Sequence, residues 1–330
     1  MRTGVALVVT TLLASTALVG TREWRPAFSF SAGVDENTHP RVAIARDTLV
    51  LAVSNTTTIG LFDARTGATR GSITCALLTE EDVYDPFCGR ALAASSKVIA
   101  ATRTDAIDVY RYDGTLVRRL PIRADAIALR GTRLLAGQLD ASNGAVGAVV
   151  VDTDSGRVVR RLVADPIPAS PDERATVAFA GSDTVVAAGG HVSLFDGRTG
   201  RLRWARTAPS GLPGFGALLA SIGSDVIVGP GVFRLDGRTG EIRAQFAISP
   251  GSLIAASGDT VAATGVIPHS TDDFGSAIHL FDARSGRFLG SLPVDPPDTE
   301  GLEAIALRGP YVSVASGSEH GDGHLWAFAR

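Results

Sequence analysis

Cysteine is nearly missing from this sequence, with two residues among 330, and methionine occurs once. Two thiols, Cys75 and Cys88, are too few for a metal site built on sulfur. They bracket one loop, CALLTEEDVYDPFC, and are not neighbours, so a vicinal disulfide is excluded. An excess of either charge is also lacking. The chain has 31 Lys and Arg against 34 Asp and Glu, a net charge of −3, which argues against general nucleic-acid binding. No stretch carries the apolar period of a long amphipathic helix. No G-x-S-x-G elbow, H-E-x-x-H helix or P-loop is present. After residue 20 no apolar run approaches the roughly 20 residues that a bilayer span needs.

What the chain does have is glycine, 37 residues of it, and one phrase written again and again. It reads TIGLFDARTGATRGSI at 58–73, HVSLFDGRTGRLRWART at 191–207, GVFRLDGRTGEIRAQF at 231–246 and AIHLFDARSGRFLGSLPV at 277–294. Looser copies run over 106–122 and 146–163. Each is two short strands around a turn. The Asp (Asp63, Asp196, Asp236, Asp282) is suited to cap the turn, and the Gly (Gly67, Gly200, Gly240, Gly286) to take its positive φ.

Between these hairpins lies a second one, with copies at 41–53, 90–102, 125–137, 176–189, 217–229, 252–264 and 303–315. Aligned positions from Asp63 to Asp282 recur every 40 to 48 residues. Four strands per unit with a period in the forties predict an all-β, seven-bladed β-propeller of four-stranded antiparallel blades. The first strand of each unit is rich in Ala, as expected where strands converge on an axis.

The seventh unit stops after three strands, with GHLWAFAR at 323–330. The N-terminal segment, about 21–31 (TREWRPAFSF and the next residue), is expected to supply the fourth and close the ring. Trp24 is aligned with Trp204, and Pro26 suits an outer edge. Residues 21–330 then form one domain. Residues 1–20, MRTGVALVVTTLLASTALVG, have the layout of a secretory signal, with cleavage after Ala17 or Gly20, or of a retained anchor. The expected location is outside the cytoplasm, periplasmic or extracellular. There Cys75 and Cys88 would join in a local disulfide, which the chain-entropy view values at roughly 3 kcal/mol.

FDGRTGRLRW at 195–204 resembles the repeat of quinoprotein-like (PQQ-like and WD-repeat-like) propellers, a hydrophobic run followed by an Asp-turn-Gly phrase and a Trp. FGALLASIGSDVIVG at 215–229 and DDFGSAIHLFDARSG at 272–286 are similar to FG-GAP repeats. Both resemblances imply the propeller fold and fix no function, since such repeats serve enzymes, scaffolds and adhesins. The quinone enzymes' vicinal disulfide and stacked Trp have no counterpart here, nor does the calcium loop of FG-GAP repeats. No cofactor is therefore expected.

The turns inside the hairpins fall on one face, where Arg46, Arg65, Arg130, Arg133, Arg198, Arg238, Arg284 and Arg308 gather. The connections between hairpins fall on the other and are acidic, from Asp35 and Glu36 through Glu80, Glu81, Asp82 and Asp272 to Glu319 and Asp322. At the channel mouth on that acidic face the inner strands begin with Arg41, Arg90, Asp125, Arg174, Ser252 and Glu303. These are candidates either to bind a ligand or partner or to form a satisfied ion-pair collar. His320, Asp322 and His324 are a weak metal candidate. The reading that fits is an exported, non-enzymatic, monomeric scaffold that binds another protein or cell-surface macromolecule through its acidic loop face. A hydrolase or lyase at the channel mouth and a metal-dependent surface adhesin are the alternatives.

Overall fold

Residues 9–10, 24–32, 40–52, 57–75, 89–140, 144–164, 174–208, 216–229, 231–247, 253–268, 274–294, 296, 300–318 and 323–330 are described by the structure, a computed structural model. Seven antiparallel sheets follow one another along the chain. Blade 1 holds Arg41–Ala45, Thr48–Ala52, Thr58–Asp63 and Thr69–Thr74. Blade 2 holds Leu92–Ala94, Ile99–Thr102, Ile107–Tyr110 and Leu116–Leu120. Blade 3 holds Ala126–Arg130, Arg133–Asp140, Ala145–Asp152 and Val158–Val163. Blade 4 holds Thr176–Ala180, Asp183–Ala188, His191–Phe195 and Leu202–Thr207. Blade 5 holds Leu218–Ile222, Asp225–Gly229, Phe233–Leu235 and Ile242–Gln245. Blade 6 holds Ile254–Ser257, Thr260–Pro268, Phe274–Asp282 and Phe288–Val294.

Blade 7 takes Glu300–Arg308, Tyr311–Ser318 and Gly323–Ala329 from the end of the chain and Arg25–Ala32 from its beginning. The expected closure is therefore present, with Arg25 opposite Ala329 and Ser29 opposite Trp326. A two-residue strand, Val9–Thr10, pairs with Phe30 and Ser29 on the outer side, so part of Arg25–Ala32 is not the outermost edge. Every inner strand contacts the inner strand of the next blade, including Glu300–Arg308 against Arg41–Ala45. The seven sheets thus form a closed ring. Their facing sides are apolar, with one buried cluster at each blade-to-blade junction, for example Phe28, Ile44, Leu49, Phe62, Ala315 and Leu325 between blades 7 and 1.

The repeated phrase builds one turn. In blades 1, 4, 5 and 6 a carboxylate oxygen of the Asp accepts from two backbone N–H groups and one hydroxyl of the turn, as Asp196 does from Arg198 N at 3.0 Å, Thr199 N at 2.6 Å and Thr199 Oγ1 at 2.9 Å. The closing Gly lies at φ +71 to +73. One extra residue then bulges in the outer strand, and in blades 2, 3 and 4 the residue after it reaches over the next blade's turn. Trp204 does this: a Cβ on Gly240 would lie 2.8 Å from its ring, and its Nε1 donates to Gly237 O at 3.1 Å. Arg118 donates likewise to Asp154 O, Arg160 to Arg198 O, and Arg206 to Thr239 O and Gly240 O.

This relation corrects the Trp24 alignment. Phe28 pairs with Ala327 as Trp204 pairs with Leu194, and a Cβ on Gly67 of blade 1 would lie 2.6 Å from the Phe28 ring. Phe28, four residues on, is the counterpart of Trp204. Trp24 precedes the strand and packs half-buried against the junction of blades 6 and 7.

Why the phrase reads DG in blades 4 and 5 but DA in blades 1 and 6 also follows from contacts. In blades 1 and 6 the amides of Ala64 and Ala283 donate to the backbone carbonyls of Asp47 and Asp259. In blades 4 and 5 an Asp begins the second strand, and the amides of Gly197 and Gly237 donate to the Asp183 and Asp225 carboxylates at 3.0 and 3.1 Å. The neighbouring carbonyl then occupies the side-chain space: a Cβ on Gly197 would lie 1.6 Å from Ser182 O. Gly197→Ala is expected to cost at least about 2 kcal/mol by overpacking. Adding Asp183→Thr should return part of it, and urea unfolding of the two single variants and the double variant measures both.

The inner hairpins of blades 3, 4, 5, 6 and 7 turn on Gly131, Gly181, Gly223, Gly258 and Gly309, each at positive φ between 54 and 62. A positive φ at the first loop position with none at the second marks a type II′ turn, which glycine favours. Blade 1 has Arg46 there, at φ 57. Holding a side chain in that region costs about 1 kcal/mol. Arg46→Gly is accordingly expected to raise the urea midpoint.

Candidate functional site

The two hairpin turns of every blade lie at one end of the ring, and the strand ends that flank the long connections lie at the other. The Arg-rich turns and the inner-strand starts therefore sit on opposite faces, as the strand order requires. The acidic residues of the long connections fall outside the described residues, as do Ser252, His320, Asp322 and Cys88, and with Cys88 the expected disulfide. Cys75 is buried in the junction of blades 1 and 2.

At the channel mouth the structure brings part of the predicted set together. Arg41 reaches both neighbouring blades: its Nε donates to Arg90 O at 3.1 Å, and its Nη1 stands 3.5 Å from the Glu303 carboxylate and 2.8 Å from Pro40 O. Arg41 thus ties blades 7, 1 and 2. Asp125 works differently. Its carboxylate accepts from Leu139 N at 2.8 Å and Ala175 N at 3.3 Å, which joins blade 3 to blade 4 through backbone amides. Arg90 and Arg174 are exposed beside these groups. Much of this collar is engaged in holding blades to one another.

His324 stacks on Trp326, with ring centroids 5.7 Å apart, and its backbone N–H donates to Ser316 Oγ. Among the described residues, no group of three or more His, Cys, Asp and Glu side chains is placed to hold a metal ion. His279 contacts Ser291 Oγ at 2.7 Å across two strands of blade 6, with Phe288 against its ring.

The sequence reading missed a buried charge network in blade 2. Asp108 is wholly buried and takes a bidentate Arg119, Nε to Oδ1 at 2.6 Å and Nη2 to Oδ2 at 2.8 Å. Tyr110 Oη donates to the same carboxylate at 3.0 Å, and buried Arg103 stands 3.6 Å away. Burial and the adjacent carboxylate push the Tyr110 phenol well above its ordinary range. A signal for it was available: Asp108 interrupts an apolar strand, AIDVY, at a position whose partners are Ala101 and Arg119.

The turn carboxylates are acidified by their partners. Arg70 holds Asp63 down from its ordinary 3.8 to about 2, helped by Thr66 and the Arg65 amide, while burial opposes. Arg203 and the Thr199 amide lower Asp196, Arg243 and the Thr239 amide lower Asp236, and Ser285 lowers Asp282. A depressed folded-state pKa stabilises fully above the unfolded value and is lost as pH falls through the folded one. Stability is therefore expected to drop between about pH 4 and pH 2. Asp63→Asn should make that slope shallower in urea midpoints taken across this window.

Searches of known proteins bear on the fold alone. No family model and no curated protein matches the sequence. The structure is similar to that of the Neurospora crassa Pan2 WD40 domain, with a TM-score of 0.66 at 12% identity, over 94% of this chain and 97% of that one. The WD40 β-propeller domain of Doa1 is similar too, with a TM-score of 0.65 at 11% identity, over 94% and 98%. Both of these structural neighbours are WD40 propellers. A WD40-like ring is a platform with two faces and a rim, and at these identities the likeness extends to the architecture and no further.

Proposed function

We propose that this chain is an exported, non-enzymatic propeller that binds another protein or cell-surface macromolecule through the loops of its acidic face. One sequence observation carries the proposal. The connections at 33–39, 76–88, 165–173, 269–273, 295–299 and 319–322 hold many Asp and Glu and not one Lys or Arg. The strand ends that flank them all lie at the same end of the ring. Loops on a rigid scaffold are where binding is usually placed, and a surface of one sign steers a partner of the other. The partner is thus basic on its contact surface. The mixed-charge collar of Arg41, Arg90, Asp125, Arg174 and Glu303 stands at the inner-strand starts of that face, inside the ring of acidic loops.

The same proposal includes a leader in residues 1–20, a periplasmic or extracellular location, a Cys75–Cys88 disulfide fastening the acidic loop at 76–87, and a monomer. The quinoprotein-like and FG-GAP-like resemblances enter it as architecture only, without quinone or calcium chemistry.

The test is affinity capture from the exported fraction by the wild-type chain and by a variant carrying Glu80→Gln, Glu81→Gln and Asp82→Asn. A partner held by the first, released by salt and lost from the second is the expected result. Capture that survives both the variant and salt rules the acidic face out.

A further inference from the structure

The turn-face mouth of the channel is built differently from the rest of its ring. Four consecutive blades, 7, 1, 2 and 3, each place an exposed cation on the innermost hairpin: Arg308, Arg46, Lys97 and Arg130. The corresponding turns of blades 4, 5 and 6 carry Ser182, Ser224 and Asp259 instead. On the hairpin turns of the arc the one carboxylate is Asp47, which Arg70 already holds with two hydrogen bonds of 2.9 and 2.7 Å; Asp183 of blade 4, near enough to act on Arg130, is paired with Arg203.

The arc has an aromatic floor. Tyr112 lies half-buried between blades, its hydroxyl donating to Ser95 O at 2.5 Å, close enough to Arg46 and Arg308 for both to act on its phenol. At the other end Arg130 lies over the Phe179 ring, 4.6 Å from its centre. Arg46 adds an independent sign, because it keeps a side chain at the positive φ where five other blades use glycine. A residue held in the left-handed region at a mouth, with its charge exposed, is a reason to look for a function there.

We infer that this crescent is a second binding surface, for an extended carboxylate-rich segment of a partner protein lying across the turn-face mouth. The four cations stand on separate blades along an arc, so a compact anion meets only part of the set. An extended acidic peptide can offer one carboxylate to each in turn, with Tyr112 and Phe179 beneath it. The surface is opposite in position and in charge to the acidic loop face, and does not depend on the reading given for that face.

Fluorescence anisotropy of a labelled deca-glutamate peptide with the full chain tests it. Binding is expected at low salt, weakening steeply as salt rises. Arg46→Gly with Arg308→Gln should weaken it at least tenfold, although Arg46→Gly alone is expected to stabilise the fold. Arg65→Gln with Arg284→Gln removes equal charge from outer turns and should change it less than threefold. Equal losses in the two double variants would overturn the inference, as would no loss in either or no binding at all. Sedimentation with phosphatidylserine vesicles, lost in the Arg46/Arg308 variant while the peptide fails to bind, would also overturn it in favour of a membrane.

Discussion

A chain that begins at Gly33 is expected to lose its cooperative unfolding transition, whereas one that begins at Thr21 keeps it. The strand Arg25–Ala32 is bonded along its length to Gly323–Ala329 and carries Phe28 into the junction of blades 7 and 1. Removing Phe28 alone is worth about 3–5 kcal/mol by the usual cost of truncating a buried aromatic. Removing the strand also strips the ladder partner from Gly323–Ala329 and uncovers the Gly67 turn on which Phe28 rests. The total approaches the whole stability of an ordinary domain, which is about 5–15 kcal/mol. Urea titration by circular dichroism reads the result. A synthetic peptide of residues 21–32 should restore the transition in trans.

Asp108→Ala is expected to be the most damaging single substitution among the charged residues described here. It takes the carboxylate away from Arg119, from Tyr110 Oη and from buried Arg103. Breaking a buried pair by removing one partner costs about 3–5 kcal/mol, because the opposite charge stays desolvated. Replacing the members together is far milder: Asp108→Leu with Arg119→Leu and Arg103→Met should recover most of the loss. A double-mutant cycle between Asp108 and Arg119, followed by urea midpoints, should show coupling of at least about 1.5 kcal/mol. Additive single effects would mean that the network holds nothing together.

The architecture was legible because a propeller repeats its instructions. An Asp-capped turn with a glycine at positive φ is a local signal; it recurs in blades 1, 3, 4, 5 and 6, and with seven copies of the inner hairpin it sets a period in the forties. Closure by the N-terminal strand could be read from the missing fourth strand. Its register could not, because the bulge between Pro26 and Phe28 shifts the count and a conspicuous Trp24 invited alignment with Trp204. In blades 2, 3 and 4 the residue after the bulge is a large side chain, Arg118, Arg160 or Trp204, that lands on the next blade's turn glycine, and Phe28 does the same in blade 7. The alternation of DG and DA was also in the sequence, tied to whether Asp or Thr begins the second strand, but its cause is a carbonyl position that only coordinates reveal.

The channel collar illustrates the opposite case. Arg41, Arg90, Asp125, Arg174 and Glu303 stand out in the sequence by their place at strand starts, and sequence does not say how their groups are spent. Asp125 turns out to hold backbone amides of blades 3 and 4, while Arg41 spans three blades. Asp108 escaped notice because one charge in an apolar strand reads as an exception until its two arginines are seen around it.

The most direct measurement is a cross-link between the two ends of the chain. With Arg25→Cys and Ala329→Cys, which the ladder places opposite one another, mild oxidation should join them within one molecule, detected by mass spectrometry of the proteolysed protein. An intramolecular 25–329 disulfide, formed without loss of the native transition, is what a ring closed by its own termini predicts. No link, or links only between molecules, would contradict it.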